Sequence, residues 1–307
     1  MKRFVVRFIY FVVIIIALIA ATVGGTIYIM SQASFKIDPS KNILVLGESL
    51  TEFGINDSIF TRSVNLSQSA NAYMYSYCKL KKVLENNQHI DTVLLSFKYT
   101  MLTKKFEDVW IMSENSVVFR VPFFVTLLGK DEFLTYDKKK LLQAIIKIPI
   151  RNIGSIIKYL RKGQSNFSYK DLRIGGYVRV DMNNLEMEPI LPFIGDLGNA
   201  ESSWQAESPM QKEYLYKIID LCKKYNVELI LLSTPIYNPE VFGNIDKMNE
   251  YHLKYLNGIK MLNYTSFALP DEYYRDIIHL NYKGADVFSK YLQENLTNDL
   301  KKLDEKE

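Results

Sequence analysis

The stretch NILVLGESLTEFGINDS, residues 42–58, decides the fold. It opens with an unbroken apolar run, Ile43 to Leu46, and stops abruptly on Gly47-Glu48-Ser49. A strand that is hydrophobic without alternation has both faces covered, as in a parallel sheet layered between helices. The small turn and the hydroxyl at its carboxyl end fit two roles. Ser49 either caps the helix that follows or serves as a nucleophile at the sheet edge where open α/β sheets receive ligands. What lies more than two hundred residues downstream decides between them.

Similar runs recur at 63–67 (SVNLS), 91–97 (DTVLLSF) and 227–234 (VELILLST), with a weaker one at 258–264 (GIKMLNY). Between them the pattern turns helical. Tyr73, Tyr77, Leu80 and Leu84 form one stripe, and Leu215, Ile218, Ile219 and Cys222 another, the latter after a Ser208-Pro209 cap and first-turn proline. Strands alternating with helices give right-handed crossovers, so the expected architecture is α/β: an open, three-layer parallel sheet. Residues 100–207 break the rhythm and are expected to form a helical insert or cap packed beside or over the sheet edge. The core then comprises 42–99 and 208–296, and 297–307 is a charged tail. The basic residues of the insert, Lys138, Lys139, Lys140, Lys147, Arg151, Lys158, Arg161 and Lys162, make either a solvated helix face or a surface for polyanions or lipid headgroups.

With 307 residues, 48% of them hydrophobic, the chain is long enough for a large core. A formal net charge of only +4, and no Arg-rich tract interleaved with aromatics, argue against nucleic acid as a partner. Phe8 to Met30 contains no charged residue, long enough at helical rise to cross about 30 Å of hydrocarbon. Lys2, Arg3 and Arg7 precede it, so residues 1–30 are expected to be a transmembrane signal anchor with a cytoplasmic amino terminus. The rest of the chain is then extracytoplasmic, after a linker at 31–41. A cleaved signal peptide is the competing reading, although the apolar run exceeds the usual signal core. Cys78 and Cys222 stand without CxxC spacing and are read as buried thiols. No metal or other cofactor is implied by ligand spacing or by a glycine-rich phosphate loop. His89 is read as structural, at a helix end, and His252 as a surface residue.

The decisive second stretch is YYRDIIHLNYKGADVFSKYL, residues 273–292. Asp276 and His279 lie three apart in a chain with only three histidines. A serine hydroxyl is a weak nucleophile until an imidazole takes its proton, and a carboxylate fixes that imidazole's tautomer. Asn281 is expected to cap the helix from Tyr282 onward, giving the loop a fixed exit.

On LGES at 46–49 and DIIHLN at 276–281, the sequence resembles the SGNH (GDSL-like) hydrolase superfamily, over roughly residues 42–98 and 210–292. The resemblance implies a flavodoxin-like sheet, with Ser49 as nucleophile, His279 as base and Asp276 as orienter. It also points to membrane-anchored extracytoplasmic relatives that modify cell-surface polymers, such as the D-alanyl transfer protein of teichoic-acid synthesis and polysaccharide O-acetyltransferases. Expected partners are therefore a membrane, a membrane-embedded acyl-donor protein and a surface glycan or polymer. Three departures stand out. Glu48 replaces the usual aspartate. NLSQSA at 65–70 lacks the glycine whose N–H helps hold the oxyanion, leaving the backbone N–H of Ser67 as the expected substitute. SFKYT at 96–100 lacks the usual asparagine, leaving Lys98 or Tyr99. The two functional readings are a serine acyltransferase or esterase and, as the alternative, a non-catalytic binding or assembly protein of the same fold.

Overall fold

A computed structural model describes residues 1–183, 185, 206–237, 239 and 245–305. In chain order the helices are α1 (Lys2–Ser31), α2 (Ser49–Gly54), α3 (Tyr73–Leu84), α4 (Lys104–Glu107), α5 (Glu114–Phe124) and α6 (Lys130–Leu134). Then come α7 (Lys138–Ile146), α8 (Ile148–Arg151), α9 (Ile153–Lys162), α10 (Pro209–Tyr225), α11 (Ile245–Tyr255) and α12 (Tyr282–Asp304). The strands are β1 (Ile43–Leu46), β2 (Ser63–Asn65), β3 (Thr92–Ser96), β4 (Glu228–Ser233) and β5 (Lys260–Asn263).

The chain divides into two compact units: Met1–Phe35 with Met112–Ile174, and Lys36–Ile111 with Gly175–Glu307. The helical excursion thus starts and ends inside the expected bounds of 100 and 207, and residues 186–205 of that span lie outside the described residues. The expected linker at 31–41 is not a free tether. Ala33, Phe35 and Ile37 are buried, Ser34 bridges Ser168, and the Ile37 N–H donates to Asn87 Oδ1 at 2.7 Å. Its alternating apolar residues are the signal for this that its polar neighbours obscure.

All five strands are parallel, in the order β2-β1-β3-β4-β5, as a doubly wound sheet of flavodoxin-like order requires. The registers are tight: Leu44 faces Val64 on one side and Val93 on the other, and Leu94 faces Ile230. Because side chains alternate between faces, Ile43, Val45, Leu94, Ile230, Leu232 and Leu262 point one way. They form a core with Phe288, Leu292 and Leu296, spaced i, i+4, i+8 along α12. Helices α3 and α10 pack together on the opposite side, with Leu215, Ile218, Ile219 and Cys222 buried as the periodicity predicts. Ser208 and Asn281 cap α10 and α12 as expected, Ser208 Oγ accepting from the Gln211 N–H and Asn281 Oδ1 from the Lys283 N–H.

The direction of winding reverses between β1 and β3, and the crevice outside their carboxyl ends is where sheets of this order bind ligands. Gly47 lies there because nothing larger fits: a Cβ would stand 2.3 Å from Ser96 Cβ and 2.4 Å from Thr51 Oγ1. Strand β2 stops at Asn65, two residues short of expectation, although the Leu66 and Gln68 N–H groups still donate to Val45 O and Gly47 O; the Asn65 side chain ties this edge to α2. Its Nδ2 donates to the carbonyls of Thr51 and Ile55, both at 2.8 Å, while its Oδ1 accepts from the Ser67 N–H.

Gly47→Ala is expected to lower stability by about 1–3 kcal/mol, the usual range for overpacking. Chemical denaturation of the full chain measures the loss.

Candidate active site

Helix α2 begins at Ser49 directly after β1, and Glu48 is its N-cap. The Glu48 side chain is 2% exposed and collects four donors. Its Oε2 accepts from the Leu50 N–H at 3.1 Å and from Ser49 Oγ at 2.9 Å, and Lys98 Nζ stands 3.5 Å away. Its Oε1 accepts from Ser96 Oγ, at the end of β3, at 3.1 Å. Burial alone pushes this carboxyl up, yet the Lys98 ammonium, the Leu50 N–H, His279 and the Ser49 hydroxyl together hold it below its ordinary value. The glutamate that reads as a neutral replacement in the sequence is therefore the hub that fixes Ser49. The sequence offers Ser49 as the cap, one position too late, and Glu48's partners on and after β3 are not legible in it.

Asp276 and His279 sit on the loop before α12. Asp276 Oδ1 accepts from the backbone N–H groups of Ile278 and His279, both at 3.0 Å, which folds the loop around its own carboxylate. Both carboxylate oxygens lie 2.9 Å from His279 Nδ1, and His279 Nε2 lies 2.7 Å from Ser49 Oγ across 230 positions of sequence. A carboxylate at Nδ1 assigns the proton there, leaving Nε2 as an acceptor for the serine hydroxyl. Burial raises the Asp276 carboxyl, but its bonds to His279, to the cation that His279 becomes, and to the two amides outweigh this and hold it low. The edge of the Phe53 ring meets His279 at 5.3 Å, and Arg275 lies over the same Phe53 at 4.9 Å. Neither was singled out from the sequence. Phe53 falls four residues after Ser49, one helical turn on, which is the signal that could have found it.

The structure therefore brings Ser49, His279 and Asp276 into one hydrogen-bonded row, and it redistributes the three expected oxyanion groups. The Ser67 N–H is already committed to Asn65 Oδ1 at 2.8 Å, which corrects its expected role. Lys98 is engaged with Glu48 beneath Ser49 rather than standing alone. Tyr99 begins a 3-10 turn and lines a separate cavity of about 390 Å³ with Glu207, Lys247, Glu250, Tyr251, Lys254 and Tyr255, so it is no part of the Ser49 site. The donor that remains is the Ser49 N–H itself, which has no acceptor within α2 because it occupies the first helical position.

A segment that opens on Gly175-Gly176 links α2 to the start of α12. Gly175 takes φ +127, and a Cβ there would lie 2.4 Å from the Leu66 carbonyl oxygen, so only glycine passes. Beyond it the Gly176 N–H donates to Ser67 O, the Val178 N–H donates to Glu52 O in α2, and Val180 O accepts from the Tyr282 N–H at the start of α12. Residues 176–180 thus strap the Ser49 helix to the helix that follows His279. Arg179 stacks on Tyr282 at 3.6 Å.

Elsewhere, Cys78 and Cys222 are buried thiols, and burial pushes Cys222 up to about 12. His252 is half-buried rather than on the surface, its Nε2 2.7 Å from Ile259 O. Among the described residues no group of three His, Cys, Asp or Glu is placed to hold a metal ion.

A family model that carries no descriptive name matches residues 195–301, a span that includes Asp276 and His279 but not Ser49. No curated protein matches the chain. Among solved structures the chain is similar to a Bacteroides fragilis NCTC 9343 protein provisionally described as an acylhydrolase. The two share 12% identity, with 85% of this chain and 88% of that one covered at a TM-score of 0.35. At that score the likeness transfers no residue role.

The low Glu48 and Asp276 carboxyls set a pH dependence of stability. Because their folded-state pKa values lie below the ordinary 4.5 and 3.8, the unfolded chain takes up protons first as pH falls. Their stabilisation is complete above those values and is lost as pH drops through the folded ones. In thermal melts from pH 7 to pH 3, Glu48→Gln is expected to melt lower at neutral pH and to show a shallower decline in acid than the parent chain.

Proposed function

We propose that this chain is a membrane-anchored, extracytoplasmic SGNH-type serine acyltransferase or esterase acting on ester-linked acyl groups of a cell-surface glycan or polymer. The observation that carries the reading is the row Ser49 Oγ, His279 Nε2 at 2.7 Å, His279 Nδ1 and Asp276 at 2.9 Å. Those distances are the hydrogen-bond reach that a nucleophile and its base need. Ser49 Oγ attacks the ester carbonyl while His279 Nε2 takes its proton, and Asp276 holds the imidazole and stabilises the cation. The negative charge on the carbonyl oxygen meets the Ser49 N–H at the start of α2, while the Lys98 ammonium stands by Glu48. His279 then gives the proton to the departing alcohol, leaving an acyl-serine. Water or an acceptor hydroxyl, deprotonated by the same imidazole, releases the acyl group.

The serine has one proton and two acceptors, His279 Nε2 and Glu48 Oε2. The hydroxyl must leave Glu48 and donate to Nε2 before the imidazole can take its proton. The commitment of the Ser67 N–H leaves a sparse oxyanion site, and losing one such donor typically costs about 10²–10³ in rate. That sparseness favours a slow transferase working with an acyl-donor protein in the membrane over a vigorous esterase. It also supports the alternative of a non-catalytic binding protein. Anchoring rests on α1, a 30-residue helix whose most apolar 18-residue stretch has a mean hydropathy of 2.8 and is nowhere buried, which suits a membrane span or a signal sequence.

A fluorophosphonate probe separates these readings. Covalent mass on Ser49 of the full chain, abolished by Ser49→Ala and by His279→Ala, is the expected result. Hydrolysis of a short acyl ester is expected to fall at least about 10³-fold in either variant, and by about 10²–10⁴-fold in Asp276→Asn. A folded chain that takes up no probe would overturn the enzymatic reading.

A further inference from the structure

The unit formed by Met1–Phe35 and Met112–Ile174 carries an apolar surface that its own packing leaves bare. Along α7, α8 and α9, the side chains of Leu142, Ile146, Ile150, Ile153, Ile157 and Leu160 are all exposed, Ile150 and Leu160 to 72% each. Their spacing of four, four, three, four and three residues draws one continuous helical stripe across all three helices. It is not a misplaced core, because the inward faces are already filled. Ala144, Ile148, Asn152 and Ser155 are buried, with Asn152 Nδ2 donating to Pro122 O at 2.8 Å and Ser155 Oγ to Asp171 O at 2.7 Å. A contiguous exposed apolar strip on ordered helices marks a surface that meets something.

Two observations identify the occupant. The first is charge: between Lys138 and Lys170 the sequence has no Asp or Glu, and Lys138, Lys139, Lys147 and Arg161 are exposed alongside the stripe. The second is place: α7, α8 and α9 pack on α1, whose buried residues are Val23, Thr26 and Met30 near its carboxyl end, while Phe4 to Ile19 stand bare. The stripe therefore belongs to helices gathered where the long apolar helix ends. An apolar helix face rimmed with Lys and Arg beside a membrane span is the composition of an interfacial helix.

We infer that α7–α9 lie in the headgroup layer of the bilayer that α1 crosses, with the stripe at the acyl boundary and Lys139, Lys147 and Arg161 on lipid phosphates. The inference rests on α1 being retained as a membrane span.

The test uses the full chain in nanodiscs of phosphatidylcholine and phosphatidylglycerol, with single substitutions Ile150→Cys, Leu160→Cys, Ile14→Cys in α1 and Lys224→Cys on α10. Each carries an environment-sensitive fluorophore. Labels at 150 and 160 are expected to be quenched by nitroxide-bearing lipid and to be several-fold less accessible to iodide than the label at 224. Replacing Lys139, Lys147 and Arg161 by Gln is expected to weaken the lipid quenching at 160. If 14 reports the bilayer interior while 150 and 160 stay open to iodide, the inference is overturned and the span stands. Water at all three sites overturns both. Labels shielded from iodide but untouched by lipid nitroxide show a protein on the stripe, which also overturns it.

Discussion

A buried carboxylate that stays charged must be surrounded by donors, because an unpaired charge in a protein interior costs several kcal/mol. Glu48 meets that demand with the Leu50 N–H, the hydroxyls of Ser49 and Ser96, and the Lys98 ammonium. Those groups come from two separate stretches of chain. They meet only because β1 and β3 pair in the register Leu46 to Leu95, and because Gly47 lets the two strand ends approach. The sheet order, the missing side chain and the position of the serine are therefore one constraint seen three ways. Once Glu48 is satisfied, Ser49 has little freedom left, and His279 approaches a hydroxyl already held from behind.

How far the sequence could be read depended on how local each interaction is. The strand at 43–46 was legible because burial on both faces leaves an unbroken apolar run. The caps at Ser208 and Asn281 were legible because a cap acts over two or three residues. Asp276 and His279 were legible as a pair for the same reason, since the aspartate folds its own loop and reaches the ring three residues on. The rest turned on contacts that spacing does not encode. Nothing in NLSQSA announces that Asn65 reaches back to the carbonyls of Thr51 and Ile55, and nothing in SFKYT says that Lys98 turns toward Glu48 while Tyr99 faces another cavity. The linker at 31–41 misled because short alternating segments read as polar until a partner is known for their apolar half.

The two compact units solve different problems with the same chain. In the unit built on the sheet, apolar side chains converge inward and the polar ones are spent on fixing a few groups at one crevice. The helical unit fills its own interior with Phe123, Phe124, Leu128 and Phe167, yet along α7–α9 it turns Leu142, Ile146, Ile150, Ile153, Ile157 and Leu160 outward, the reverse of what water selects. That inversion is consistent along three helices.

Doubly wound sheets usually leave the crevice at their reversal point open, and the helix that starts there offers its amides to an anion such as a phosphate. Here that berth is taken. The Glu48 carboxylate occupies the amide of Leu50 from within, so the protein supplies its own resident anion where a nucleotide or phosphate ester would dock. The scaffold keeps the geometry of a ligand cradle with one amide already spent on the chain's own carboxylate, whose charge the Lys98 ammonium beside it offsets.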